Sequence, residues 1–164
     1  MTAIIIMFIA LLISLYTDIK NRKILNIVTF PTILIGFLIN TISLGWEGFL
    51  LSLLGMLTGF GLLVVPYLLG GMAAGDVKLL MAIGALQGAA FTFASFLYTA
   101  LFGGLIAVII LISRKELGSS LKRIFFFAQL KTLDGVSKDE LHHAFPYGVA
   151  IFLGTVVYTG VTFL

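Results

Sequence analysis

Two acidic residues stand where a carboxylate is expensive to keep. Asp76 lies in GGMAAGDVKLL, residues 70–80, between the apolar runs 62–69 and 79–83. Asp18 lies in SLYTDIKNRKILN, at the end of another apolar run. An Asp at the centre of a spanning helix costs about 2.5–3.5 kcal/mol on insertion scales, and less near the interface. Acids in such places pair, become neutral or line a watery path. Two carboxylates brought close together cannot both ionise easily, so they share one proton and titrate as a unit. The ionised member can then take a proton from water while the protonated member donates to a scissile carbonyl. That is aspartyl peptide hydrolysis, and it requires neither a metal nor a thiol.

The elements that would carry these acids are set by composition. Of 164 residues, 60% are hydrophobic and only 10% are charged, and the mean hydropathy is +1.19. A soluble domain carries about 25% charged residues, and a chain this small could not hide so much apolar surface from water. The chain is expected to be an integral membrane protein of the all-α class, one polytopic bundle of about six transmembrane helices spanning 1–164. A span needs about 20 apolar residues. Candidates run from about Thr2 to Thr17, Ile24 to Leu44, Phe49 to Gly70, Met72 to Leu86, Ala89 to Ile112 and Ala144 to Leu164. The fourth and fifth are separated only by Gln87-Gly88, so five spans is the alternative. Glycines at four-residue spacing (Gly55 and Gly59, Gly71 and Gly75, Gly84 and Gly88) favour close helix packing.

Charge location gives an orientation. Lys20, Arg22 and Lys23 follow span one, and Lys78 begins span four. Arg114, Lys115, Lys122, Arg123, Lys131 and Lys138 lie in the loop of about 113–143. Counting spans, all ten basic residues fall on one side and Glu47 on the other. The positive-inside rule makes the basic side cytoplasmic, with both termini outside. The first span has no basic residue before it, which argues for an uncleaved anchor over a signal peptide. In the loop, SLKRIFFFAQLKTL mixes cations with apolar residues and reads as a helix in the headgroup layer, attracted by anionic lipid. Topology thus brings Asp18 and Asp76, 58 residues apart in sequence, to one membrane face.

Plainer roles compete with chemistry at each position. Asp18 would also serve by capping span two or pairing with Lys20 or Arg22, and Asp76 by capping span four. Lys78 reads as a snorkelling anchor. His142 and His143 are adjacent, hence divergent on a helix, and no His-Glu-x-x-His spacing accompanies them. Asp134, Asp139 and Glu140 read as solvated loop charges. The absence of cysteine excludes disulfides, thiolate metal sites and thiol nucleophiles, and no Gly-x-Ser-x-Gly elbow is present. Nothing points to a metal, another cofactor or nucleic acid.

AAGDVKLLMAIGA, together with YTDIKNRKILN and the late FPYGVAIFLG, resembles the type IV prepilin leader peptidases, intramembrane aspartyl proteases of the GxGD type, over about residues 10–155. The resemblance implies Asp18 and Asp76 as the catalytic pair and Gly75 as the glycine preceding the second acid. It also marks Lys78, Asn26 and Pro146, with Phe145 and Tyr147, as residues that shape the site. Ala73 replaces the first glycine of GxGD, and Ile24-Leu25-Asn26 replaces an Ile-Pro-Asn. Larger members carry a cysteine-containing N-terminal segment and methylate the product; this chain begins at its first span and resembles the short form of tight-adherence pilus systems. The implied function is therefore an aspartic endopeptidase of a prokaryotic cytoplasmic (inner) membrane. Its partners would be prepilin-like precursors, cleaved after a glycine between a basic leader and an apolar helix. The rival readings are a small proton-coupled transporter and a non-catalytic membrane assembly subunit.

Overall fold

The computed structural model describes residues 1–113 and 147–163. Among them are six helices: α1 Thr2–Asn21, α2 Asn26–Leu44, α3 Trp46–Leu68, α4 Ala74–Gln87, α5 Ala89–Ser113 and α6 Tyr147–Phe163. The described part is all helical, as the composition requires. Four helices (α1, α2, α3 and α5) are long and apolar enough to cross a membrane by themselves. Most of the expected 113–143 loop, with its headgroup helix, its histidines and its acids, lies outside the described residues, as do Phe145 and Pro146.

The bundle is built the way lipid demands. Large apolar side chains such as Ile9, Leu34, Leu54 and Leu101 face outward, whereas Ser52, Ser95, Thr92 and Thr155 are fully buried. Lipid is as apolar as leucine, so helices associate through small residues and interhelical hydrogen bonds. Ser95 and Thr155 join α5 to α6 at 2.8 Å. At the centre, α3 and α4 cross backbone to backbone: a methyl group on Gly55 would overlap the Gly84 carbonyl, and the reverse holds. Gly59 sits close to the backbone at Leu80. The Gly55 and Gly59 spacing therefore serves packing, as expected, whereas Gly88 ends α4 and Gly71 lies in the bend before it.

One described boundary departs furthest from the hydropathy reading. Helix α1 continues four residues past the expected Thr17, to Asn21. Polar residues end an apolar run, but they need not end a helix that emerges into the headgroup layer. Termination comes at Arg22, whose left-handed backbone (φ 51°, ψ 36°) lets its N–H bond the Asp18 carbonyl at 2.8 Å. The α4–α5 junction falls where the six-span reading put it, at Gln87-Gly88. Gly88 breaks the apolar stretch there with φ 84°, so among the described residues α4 and α5 are separate helices.

Helix α4 has only 14 residues, about 21 Å, and its last carbonyls end level with Leu51 and Gly55 inside the bundle. Unsatisfied backbone groups there would be costly. The Asn40 amide of α2 answers this. Its Nδ2 donates to Ala85 O at 3.0 Å and to Leu86 O at 3.3 Å, and also to Ser52 Oγ at 2.9 Å. A half-length helix can end inside the apolar layer because α2 supplies its cap.

Candidate active site

The helix ends that carry Asp18 and Asp76, the last turn of α1 and the first turn of α4, lie at one end of the bundle. Both residues are buried, at 6% and 4% exposure. Asp18 lies one turn before the end of α1. Its Oδ2 accepts the N–H of Gly148, in the first turn of α6, at 2.9 Å. Among the described residues its hydrogen-bond partner is the start of α6 and not the start of α2. No room remains for a side chain there, since a Cβ on Gly148 would sit 2.6 Å from that oxygen. Asp76 is the third residue of α4, and its Oδ2 accepts the N–H of Ala73 at 3.0 Å. This is the acidic half of a capping box; the reciprocal half is impossible because Ala73 has no side-chain acceptor.

The two acids ride on helices that touch each other, α1 and α4. Each also sits at the partly positive N-terminus of a helix, α4 for Asp76 and α6 for Asp18, a setting that stabilises negative charge. Among the described residues each carboxylate accepts one hydrogen bond, through Oδ2, and Oδ1 receives none. Among the described residues, the geometry therefore places two buried acids at one end of the bundle, each oriented through Oδ2 by one backbone N–H.

The surrounding residues divide clearly. Gly75 lies against Ile24: an added Cβ would fall 2.8 Å from Ile24 Cβ and 3.3 Å from its carbonyl oxygen. Its small size serves this close approach of the α1–α2 linker, and it needs no left-handed backbone. Ala73, in the place of the first GxGD glycine, has φ −86° and ψ 154°, an extended conformation open to any residue. The replacement of that glycine by alanine therefore demands no unusual backbone at this position. Lys78 does not extend freely into the headgroups: Nζ donates to Asn26 Oδ1 at 2.9 Å and lies 5.1 Å from the Phe30 ring centre. Pro146 lies outside the described residues. Sequence reasoning missed the Gly148 N–H, although FPYGVAIFLG contains that glycine.

An apolar cavity of about 280 Å³ adjoins this centre, walled by Leu63, Pro66, Met72, Phe96, Gly103, Tyr147 and their neighbours. Met72 precedes the Ala73 that holds Asp76, and Tyr147 precedes the Gly148 that holds Asp18. The sequence model of the type IV leader peptidase family matches residues 5–108 of this chain, a stretch that carries both acids. The chain belongs to the type IV leader peptidase family. A peptidase role of the prepilin type goes with that membership in general terms, and the apolar helices make the protein a membrane protein. The match ends before FPYGVAIFLG. Neither a curated protein nor a solved structure matches the chain.

Proposed function

We propose that the chain is an aspartic endopeptidase that removes the leader of prepilin-like precursors, with Asp18 and Asp76 as its acid–base pair. The observation that carries this reading is the placement of two buried acids, from α1 and α4, at one end of the bundle, each with one oxygen that no described residue holds. One acid, ionised, takes a proton from water as the water oxygen attacks the scissile carbonyl carbon. The other, protonated, donates to the carbonyl oxygen. Collapse of the tetrahedral intermediate breaks the C–N bond, and a proton passes to the departing amine. The apolar cavity beside the acids receives the first turn of the precursor's apolar segment, which must lie next to the scissile bond if cleavage occurs at the bilayer surface.

The protein acts in a prokaryotic cytoplasmic membrane. The acids face the cytoplasm with Lys20, Arg22, Lys23 and Lys78, and both termini lie on the opposite face. Incubating the detergent-solubilised chain with a prepilin-like precursor tests the reading. A mobility shift and release of a leader of the corresponding mass are expected. An intact precursor under conditions where the protein remains folded would overturn it.

The capping hydrogen bonds at Gly148 and Ala73 favour one rival, a non-catalytic subunit whose acids only terminate helices. Asn accepts the same N–H bonds through its carbonyl oxygen but performs no acid–base chemistry. Asp→Asn variants therefore separate the two readings.

A further inference from the structure

We propose that Lys78, Asn26 and Phe30 form a latch that fixes Asp18 against Asp76, which makes Lys78 and Asn26 positioning residues for peptide hydrolysis. The inference rests on the peptidase reading of the same site. Its starting point is mechanical. Helix α4 packs most extensively against α3 and α2 and much less against α1, yet α1 carries Asp18. Something other than direct packing must set the register between the two acids.

The candidates lie just beyond α1. A four-residue linker separates Asn21 from Asn26, so whatever holds the start of α2 also holds the end of α1 on a short tether. Three contacts anchor that region to the first turns of α4. Ile24 sits against Gly75, one residue before the acid. Asn26 accepts from Lys78 at 2.9 Å, and Phe30 lies beneath the same ammonium.

Lys78 follows Asp76 by two residues, so it projects about 200° away around the helix. Its charge is directed to α2 and not to the acid. Asn26 shows the same specialisation. It opens a helix whose N-cap, Leu25, makes no side-chain capping bond, and its amide oxygen accepts from another helix. A lysine at a membrane surface ordinarily extends its ammonium into the headgroups; here the ammonium, in an exposed contact, is turned onto two partners on α2. Neither contact is strong enough alone to hold the fold together. Their effect is expected on the placement of Asp18, where a shift of an ångström or less lowers a rate steeply.

The test uses the purified full chain and a prepilin-like precursor, with kcat, KM and thermal midpoint measured for Lys78→Met, Asn26→Leu, the double variant and Lys78→Arg. Each single change should lower kcat by roughly five- to twenty-fold, with KM and the thermal midpoint essentially unchanged. The double variant should be no worse than the poorer single. Arginine, able to donate to Asn26 and stack on Phe30, should restore most of the rate. A wild-type kcat in Asn26→Leu would overturn the latch, leaving the Lys78 charge to act without it. Losses that multiply in the double variant, or that track a falling thermal midpoint, would overturn it too. If the wild-type chain cleaves nothing, the peptidase reading itself fails and takes the latch with it; cleavage by the wild type with silent variants refutes the latch alone.

Discussion

Gly148→Ala is the most incisive small change this site offers. The new methyl carbon would stand 2.6 Å from Asp18 Oδ2, whereas ordinary contact begins near 3.4 Å. The carboxylate must retreat by about 0.8 Å or α6 must move. Retreat moves the oxygen off the position that the 2.9 Å bond from the Gly148 N–H fixes, which weakens or breaks that bond. A bond to a charged group contributes about 1.5–3 kcal/mol, and an ångström of misplacement near the chemistry can cost about a hundredfold. We therefore expect kcat on a prepilin-like precursor to fall by about two orders of magnitude, with KM little changed. Gly160→Ala on the same helix is the control, because its methyl would meet nothing within 4 Å. Both proteins should insert and elute as the wild type does by size exclusion. A Gly148→Ala protein that cleaves at the wild-type rate would refute the claim that this N–H positions a catalytic acid.

Other outcomes follow from the same coordinates. Ala73→Gly should leave cleavage near the wild-type rate, since φ −86° and ψ 154° suit either residue; a large gain or loss in kcat would show that the position needs a different backbone. Asn40→Leu should lower stability by about 1–3 kcal/mol, because Ala85 and Leu86 lose the donor to their carbonyls; denaturant titration in detergent measures it. Gly104→Phe places a ring in the apolar cavity from a position where an added Cβ meets nothing within 4 Å. It should raise KM by about tenfold or more while kcat persists, about 1.4 kcal/mol of lost binding.

Much of this was legible in the residues. Apolar length and the ten basic side chains gave the helices and a common end for Asp18 and Asp76, because lipid permits few other arrangements. The Gly55 and Gly84 spacing predicted close packing but not that the two glycines face each other, since spacing within one helix does not name its partner. The end of α1 was misjudged because hydropathy reports the hydrocarbon layer, while a left-handed Arg22 ends the helix. Gly148 and Asn40 were missed for one reason: each matters through a backbone or amide hydrogen bond to a helix far away in sequence. Lys78 was expected to snorkel, and only three dimensions reveal Asn26 and Phe30 beside it.

The central claim is that two acids work as one unit, and Asn substitution tests it most directly because it preserves both helix caps. Cleavage rates of Asp18→Asn, Asp76→Asn and the double variant should be measured on the folded, purified proteins. Each single change should reduce cleavage to background, and the double change should be no worse, as expected for groups that act together. A single variant retaining the full rate would contradict the account and leave two helix caps in its place.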